Sequence, residues 1–441
     1  MTPAVGYTEM KDSGFPDIGS VPSTWTIMKV KHIFDVICGA TPKENAENWD
    51  GDIPWIGPSD MPMAGAIGRG KRFISELGYA SCGTTLVPQN SIIISTRAPI
   101  GKICIAANSL CTNQGCKALV PHNKNVNNCF FAYYLRSIIE RLEVDGTGTT
   151  FKELSTAKLL NEPLIVPPIK EQSAIAAYLD TQCAKIDEII AEAKASIEDY
   201  KQWKASIIYE AVTKGLDPNA EMKDSGIEWI GEIPAGWALA PFKYVLTERR
   251  ERNVPIKSTE RLSLSIDLGV TLYSEKTTNL DRFKEDFKQY KIAYKGDLVM
   301  NSMNMIVGAS GVSNYFGCVS PAYYTFYDNT QNHVTAKYCE YIFRSKAMLR
   351  VLHNLGKGIY SIERGDDRVN TCRLKVSKED LGRIMLPLPS ENIQESIVNY
   401  LNKMCAEIDT LVTAKQALIA DLETYKKSLI YEVVTGKRRV C

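Results

Sequence analysis

Two groups of cationic and polar residues are the part of this sequence best suited to chemistry. Lysine and arginine neutralise phosphate oxygens, and arginine, lysine, asparagine and glutamine hydrogen-bond to base edges. The first group consists of Lys43, Arg69, Lys71, Arg72, Arg97, Lys102, Thr149 and Lys152. The second consists of Arg249, Arg250, Arg252, Lys257, Lys357, Tyr360, Arg364 and Arg368. Any one of these side chains is more typical of a solvated surface, but as clusters they favour contact with DNA.

Motifs that would let the chain perform catalysis itself are missing from the sequence. It contains no GxxxxGK[ST] phosphate loop and no Asn-Pro-Pro-aromatic motif of an amino-methyltransferase. Its 12 cysteines include no CxxC pair, and with only 4 histidines they form no zinc pattern. The triplet Glu-Met-Lys, at 9–11 and 221–223, resembles the end of a nuclease site, but its Gly- and Pro-rich setting favours a solvated linker. We therefore expect no metal site, no bound cofactor and no catalytic residue.

The elements that must position these clusters are defined by an internal duplication. Residues 172–214 align with residues 394–436 without a gap, and 18 of 43 positions are identical. The motif MKDSG...IG..P..W occurs at Met10 and again at Met222, so the whole chain is duplicated. Each half therefore consists of an opening motif, a globular body and a long helix.

Apolar residues recur in both helical copies with the alternating four-three spacing of a coiled-coil seam. The predicted seam of the second copy is Ile397, Leu401, Met404, Ile408, Leu411, Leu418, Leu422, Tyr425 and Leu429. That of the first copy is Ile175, Leu179, Ile186, Ile189, Ala193, Tyr200, Trp203 and Ile207. A helix of ~44 residues is roughly 65 Å long and needs a partner, of which its own repeat is the simplest.

The apolar stripe of each helix is wider than this seam requires. The additional apolar positions are Ile190, Ile197, Ile208, Val212, Val412, Ile419 and Val433. Such a face packs either on the chain's own globular parts or on helices of another protein. The sequence leaves both alternatives open.

The two bodies have mainly strand-like sequence. In the first body we predict strands at 53–56, 92–95, 103–106 and 117–120, and a helix from Asn127 to about Glu143. The predicted domain limits are 1–168, 169–214, 215–389 and 390–441. Between its last body helix and its terminal proline, the second body has 14 more residues than the first.

Composition excludes several classes of protein. The 441 residues are 44% hydrophobic and 23% charged, which is typical of a folded protein of two or three domains. No apolar run reaches the ~20 residues of a membrane span, and no signal peptide is recognisable, so we expect a cytoplasmic protein without a membrane partner. The net charge of +1 is far from that of a simple basic nucleic-acid binder.

These features together resemble a Type I restriction-modification specificity subunit over nearly the whole chain. The residues that carry the resemblance are the two opening motifs, Pro54-Trp55-Ile56, Asn113-Gln114-Gly115, Lys295 to Val299, Ser320 to Tyr323, Pro167 to Gln172 and Leu386 to Pro389. None of these motifs is specific alone, but their order and duplication are. The sequence departs from the family pattern in two small ways. Asn392-Ile393-Gln394 stands where an acidic residue normally precedes glutamine, and Gln89-Asn90 stands where the second half has Gly296-Asp297.

The resemblance implies an α+β fold with two similar mixed α/β target-recognition domains, separated by two long helices that form an antiparallel coiled coil. Each domain would read one half of a split site in double-stranded DNA, and the helices would set the spacing between the halves. The implied partners are two methyltransferase subunits and restriction subunits. S-adenosylmethionine, ATP and Mg would be bound by those partners and not by this chain.

Two other functions remain open at this point. A coiled-coil structural adaptor with two protein-binding domains would fit the neutral net charge, but it gives no reason for two copies of one body with different loops. A self-contained DNA-modifying enzyme would require a cofactor site that the sequence does not contain.

Overall fold

The structure, a computed structural model, describes residues 7–97, 100–144, 153–266, 268–275, 286–330, 333–359 and 373–440. The chain forms two compact units, residues 1–193 with 417–441 (unit 1) and residues 194–416 (unit 2). Both divisions fall inside a long helix, so the domain limits predicted at 168, 214 and 389 stay a prediction.

Unit 1 contains small sheets covered by helices. Its strands are β1 Met10–Asp12, β2 Ser20–Pro22, β3 Thr26–Lys29, β4 Phe34–Cys38, β5 Trp49–Ile56, β6 Ala66–Ile67, β7 Arg72–Ile74, β8 Ile92–Ser95, β9 Ile103–Ala106, β10 Cys111–Thr112, β11 Cys116–Pro121 and β12 Pro163–Val166. Its helices are α1 Glu76–Ser81, α2 Asn128–Ser137, α3 Ile139–Val144, α4 Thr156–Asn161 and the first part of α5 Ile169–Lys214. The main sheet has the order β4-β11-β8-β9-β6, and a second sheet has the order β10-β5-β7.

The core of unit 1 lies where the main sheet meets the helices. The run Ile92 to Ile94 is fully buried on both faces of β8, as expected of a continuous apolar run in a central strand. Helix α2 packs its buried face, Phe130 to Leu135, onto the same cluster. The Asn127 side chain caps α2 by accepting a hydrogen bond from the Phe130 backbone N–H.

The long helix predicted from Asn127 to about Glu143 is wrong in one respect, because two helices are present. Helix α2 ends at Ser137, and Ile138 leaves the helical region with φ −110° and ψ 20°. The Ser137 hydroxyl donates a hydrogen bond to the Tyr134 carbonyl at 2.7 Å. Such a local bond competes with continuation of the helix.

Unit 2 repeats this plan with more strands. They are β13 Met222–Asp224, β14 Glu232–Pro234, β15 Ala238–Pro241, β16 Thr247–Glu248, β17 Leu262–Ser265, β18 Gly269–Leu272, β19 Lys291–Ala293, β20 Leu298–Asn301, β21 Ser310–Val312, β22 Gly317–Val319, β23 Tyr323–Tyr327, β24 Lys357–Ile359, β25 Arg373–Lys375 and β26 Met385–Leu388. The helices are α6 Phe242–Val245, α7 Val334–Arg344, α8 Lys346–Leu355, α9 Lys378–Arg383 and α10 Glu391–Val434, which ends in unit 1. The largest sheet has the order β16-β23-β20-β21, and Phe242 packs edge-on against Phe326 and Phe343 in the core.

The opening motifs form hairpins and not linkers, although the residues of β1 are exposed, as predicted. Strand β1 pairs with β2, and β13 pairs with β14. The Asp12 carboxylate accepts a hydrogen bond from the Gly14 N–H, and Gly14 has the positive φ of +74° that this turn requires. Each hairpin leads into a buried tryptophan, Trp25 or Trp237.

Each unit contains a pair of helical segments. In unit 1 the N-terminal part of α5 packs against the C-terminal part of α10, and in unit 2 the remaining parts pack together, so the two helices are antiparallel. Lys426 binds the Asp187 carboxylate at 2.6 Å in unit 1, and Lys204 binds Asp409 at 2.6 Å in unit 2. The repeat relates Asp187 to Asp409 and Lys204 to Lys426, so the same contact is made twice.

The buried line of α5 agrees with the predicted seam at Ile175, Leu179, Ile186, Ala193 and Ile207 but not at Ile189 and Trp203. The hydrophobic residues that are buried along its first 29 positions are Ile175, Ala176, Leu179, Cys183, Ile186, Ile190, Ala193 and Ile197. Ile189 and Trp203 are instead 44% exposed. On α10, the predicted seam residues Leu411, Leu418 and Tyr425 are likewise 40–49% exposed. The wider apolar stripe contains two overlapping series of residues with the four-three spacing. The series that contains Ile190 and Ile197 is buried in this part of the helix. Part of the remaining series is left on the surface.

Candidate nucleic-acid interface

Arg72 of the first cationic group is held by a structural cage. Its guanidinium lies 3.3 Å from the ring centroid of Trp49, which packs edge-to-face on Trp55. Both terminal nitrogens donate hydrogen bonds to the Glu44 carboxylate at 3.1 Å. These hydrogen bonds hold the pKa of Glu44 below its ordinary value. The Arg72 guanidinium already contacts the Trp49 ring and the Glu44 carboxylate. Arg72 therefore stabilises the fold and is less available to bind a phosphate.

Lys43, Arg69 and Lys71 extend into solvent beside this cage. All three are exposed, and within the described part of the chain no ion pair involves any of them. The Asp60 carboxylate accepts hydrogen bonds from the backbone N–H groups of Gly57 and Lys71, which fixes the backbone and leaves the lysine side chain outside. The Asp60 side chain thus holds the turn that carries Arg69 and Lys71, and Lys43 lies outside that turn.

The other predicted residues of the first body do not join this turn as free cations. Arg97 forms an ion pair with Glu153 at 3.1 Å, and Lys102 donates to the Pro58 carbonyl at 2.9 Å. Lys102 therefore stabilises the fold through this hydrogen bond. Thr149 and Lys152 lie outside the described residues.

Arg249 of the second group is also structural. It donates two hydrogen bonds to Asp297, at 2.6 and 2.9 Å, and this carboxylate is almost fully buried. Its guanidinium lies 4.5 Å from the Tyr294 ring centroid and 4.4 Å from that of Tyr327. The hydrogen bonds to Asp297 raise the pKa of Arg249. Removal of either partner would leave a buried charge unpaired.

Arg250 lies at a small cleft where a shared carboxylate holds two cations. Glu248 accepts hydrogen bonds from Arg250 and from Lys378, both at 2.8 Å. Burial acts to raise the pKa of Glu248, but these two hydrogen bonds outweigh it and lower the pKa below its ordinary value. Lys243 and Gly382 also line the cleft. Arg250 remains 81% exposed, so its other donors face solvent.

Arg252 and Lys257 flank a fixed loop. Lys257 pairs with Glu251, and Arg252 is exposed and forms no side-chain ion pair among the described residues. Lys357 is 80% exposed and binds Asp380 at 3.2 Å. Tyr360, Arg364 and Arg368 lie outside the described residues.

Sequence reasoning missed four cations of the second body. Lys243, Lys291, Lys375 and Lys378 lie on α6, β19, β25 and α9, which are far apart in sequence. The fold places Lys291 close enough to Lys375 and Lys378 that their charges lower its pKa, although burial is the larger cause. No local spacing could have grouped them, because these elements are far apart in sequence and meet only in the folded unit.

Asn113 forms a turn and is not aimed at solvent for base reading. Its side chain accepts a hydrogen bond from the Gly115 N–H, and its own N–H donates to the Ile56 carbonyl.

Among the described residues no group of three His, Cys, Asp or Glu side chains has the arrangement of a metal site. None of the described helices is long and apolar enough to cross a membrane.

Comparison with known proteins identifies the class of this fold. Residues 22–199 match the family model of the Type I restriction modification DNA specificity domain. The MjaIX specificity subunit of Methanocaldococcus jannaschii is 34% identical over 260 residues, which cover 56% of this chain and 57% of that protein. The EcoR124I/EcoR124II specificity subunit of Escherichia coli is 31% identical over 156 residues, or 32% of this chain and 37% of the relative. The chain thus spans about half the length of the curated relatives that it matches.

Solved structures show the same fold over nearly the full length. A chain from a study of complex assembly and conformational transition of the type I R-M system has a TM-score of 0.68 at 15% identity, covering 94% of this chain and 99% of the other. The HsdS subunit of Thermoanaerobacter tengcongensis has a TM-score of 0.55 at 15% identity, covering 94% and 98%. The predicted α+β fold with two bodies and two long antiparallel helices is confirmed.

The first body is therefore a DNA specificity domain, of which the second body is a diverged repeat. Residues 22–199 match the DNA specificity domain of Type I restriction-modification systems, and the curated relatives that the chain matches are specificity subunits, so the resemblance found in the sequence is confirmed.

Proposed function

We propose that this chain is the DNA sequence-recognition subunit of a Type I restriction-modification complex, in which each body reads one half of a bipartite site. The observation that carries the proposal is the duplication of one body with different exposed cations on each copy. A shared framework with divergent loops is what two readers of different sequences require.

In the first body the contacting residues are Lys43, Arg69 and Lys71. They are exposed and free of ion pairs within the described residues, and the backbone of Lys71 is fixed by its hydrogen bond to Asp60. Phosphate contacts position a protein on DNA, and an arginine or lysine can also read guanine in the major groove. In the second body Arg250 and Arg252 serve the same purpose.

The paired helices set the spacing between the half-sites and dock two methyltransferase subunits. In unit 1 the exposed Ile189 and Tyr425 lie within two residues of the Asp187–Lys426 ion pair, so they occupy the same level along the helices. In unit 2 the repeat places Leu411 and Trp203 in the equivalent positions beside Asp409–Lys204. Two equivalent apolar surfaces favour two copies of one partner.

Catalysis belongs to the partner subunits in this proposal. S-adenosylmethionine would be bound by the methyltransferase subunits, and ATP and Mg by restriction subunits where these are present. The chain itself would bind none of these cofactors. Because its ligand is genomic DNA, the complex would act in the cytoplasm.

A combined methylation and binding experiment tests this proposal. The purified chain is mixed with duplex DNA and a labelled methyl donor, first alone and then with its partner subunits. We expect methyl transfer only in the presence of the partners, and methylation by the chain alone would contradict the proposal.

The coiled-coil adaptor is the second function, and the exposed apolar surfaces of the helices favour it to the extent that they indicate protein partners. Salt dependence separates the two. Each phosphate contact should make the slope of log binding constant against log salt concentration more negative by about 0.9. A slope near zero would support the adaptor and remove the phosphate contacts.

A further inference from the structure

We infer that Val254 and Ile256 form an apolar tip that contacts thymine methyl groups in the half-site read by the second body. This inference rests on the proposed function, because it names a base contact within DNA recognition. It adds two residues without charge or hydrogen-bonding side chains to a reading surface otherwise made of cations.

The loop that carries these residues is held rigidly from inside. Asn253 is fully buried, and its amide nitrogen donates to the carbonyls of Ser258 and Phe287 at 2.7 and 3.1 Å. Its side-chain oxygen accepts from the backbone N–H groups of Lys257 and Ser258 at 2.7 and 3.2 Å. Its own backbone N–H donates to the Tyr290 carbonyl at 3.0 Å. One side chain therefore closes the loop 253–258 and ties it to the body.

Two apolar side chains of this closed loop extend to the surface. Val254 is 57% exposed and Ile256 is 48% exposed, although both are of a type that normally packs inside. A loop fixed by five hydrogen bonds cannot fold these side chains back into the body without breaking its anchor. Exposed apolar groups on a rigid support indicate a surface that is covered by a ligand.

The charges around the tip indicate which kind of ligand covers it. Arg252 and Lys257 flank it directly, and an isolated antiparallel backbone bridge places Arg252 beside Lys291 of β19. Burial lowers the pKa of Lys291, and Lys378, Arg252 and Lys375 lower it further while Glu248 opposes them. An apolar tip set among cations is complementary to a polyanion that also presents apolar groups.

Duplex DNA meets both requirements. Its phosphates match Arg250, Arg252 and Lys378, and thymine presents its C5-methyl group in the major groove. Valine and isoleucine can make apolar contact with that methyl group while the cations hold the flanking backbone. An apolar protein surface would match the tip but would leave Arg252, which forms no ion pair among the described residues, without a counter-charge.

The test is a selection of duplexes from a randomised pool by the full-length protein, purified with the subunits that it retains. One pool contains thymine, and in the other uracil replaces thymine and so lacks the methyl group. The wild-type protein should select a split motif from the thymine pool. In the uracil pool it should lose base preference at one or more positions of one half only.

The double substitution Val254→Ser with Ile256→Ser should produce the same loss in the thymine pool and no further loss in the uracil pool. Val307→Ser is the control, because Val307 is 49% exposed in the same unit and lies on a different element. It should leave both halves unchanged. Thermal unfolding of all variants should match that of the wild type, since the substituted side chains are exposed.

The outcomes separate this inference from the proposed function. If the wild-type protein selects no motif from either pool, both are wrong. If it selects the same motif from both pools, or if the double variant keeps that motif, the methyl contact is wrong and DNA recognition stands. Loss of a partner subunit by the double variant with an unchanged motif would assign the tip to a protein interface and also overturn the inference.

Discussion

At the scale of residues, the structure divides the predicted cations into those that hold the fold and those that are available to DNA. Arg72 is stacked on Trp49 and bound to Glu44, and Arg249 is bound to the buried Asp297. The sequence grouped both residues with neighbouring cations. It could not show that their charges are already used, because Glu44 and Asp297 are distant in sequence and meet them only through the fold.

This division predicts different effects for neighbouring arginines. Arg72→Ala should lower the free energy of unfolding by about 0.5–1 kcal/mol through loss of the cation–π contact. Arg69→Ala with Lys71→Ala should leave unfolding unchanged and should weaken recognition of one half-site, by about 1–3 kcal/mol for each base contact. Urea denaturation and binding to the identified site measure the two effects. Equal weakening at both half-sites would contradict the two-reader arrangement.

At the scale of elements, the long helices were predictable in existence and length but not in their packed face. Helix α5 covers Ile169–Lys214, as the repeat and the proline boundary at 167–168 indicated. The choice between Ile189 and Ile190 for the seam depends on which side of the helix faces its partner. Two apolar series differing by one residue both satisfy the four-three spacing, so periodicity alone cannot decide.

The series left on the surface predicts the stoichiometry of assembly. Ile189→Ser with Tyr425→Ser should remove one methyltransferase subunit from the complex, and Trp203→Ser with Leu411→Ser should remove the other. Native mass spectrometry would then find one bound copy in place of two. Asp421→Ser with Glu423→Ser changes exposed polar residues of α10 and should retain both copies. Retention of two copies by the apolar variants would show that the partners dock elsewhere.

At the scale of the whole molecule, the internal duplication is the feature that the sequence revealed most completely. It predicted two bodies of one plan and two equivalent helices, and the equivalent ion pairs Asp187–Lys426 and Lys204–Asp409 follow the same relation. The hairpins of the opening motifs were missed, because three-residue strands are too short for alternation to be distinguished from a turn.

The helices can be tested as the element that sets the spacing. One heptad is deleted from α5 between Asp187 and Lys204, and one from α10 between Asp409 and Lys426, so that both ion pairs are kept. Seven residues of helix span about 10 Å, and this corresponds to about three base pairs at ~3.4 Å each. The spacer of the recognised site should shorten by that amount with both half-site sequences intact, and insertion of one heptad should lengthen it. An unchanged spacer would show that the helices do not set the distance.

The central claim is that this chain selects a bipartite DNA sequence for modification by its partners. Sequencing of modified bases in the source genome, with and without this gene, tests it most directly. We predict a split motif that carries methyladenine in both parts and disappears when the gene is deleted. A genome in which such methylation is present and remains unchanged after the deletion would contradict the account.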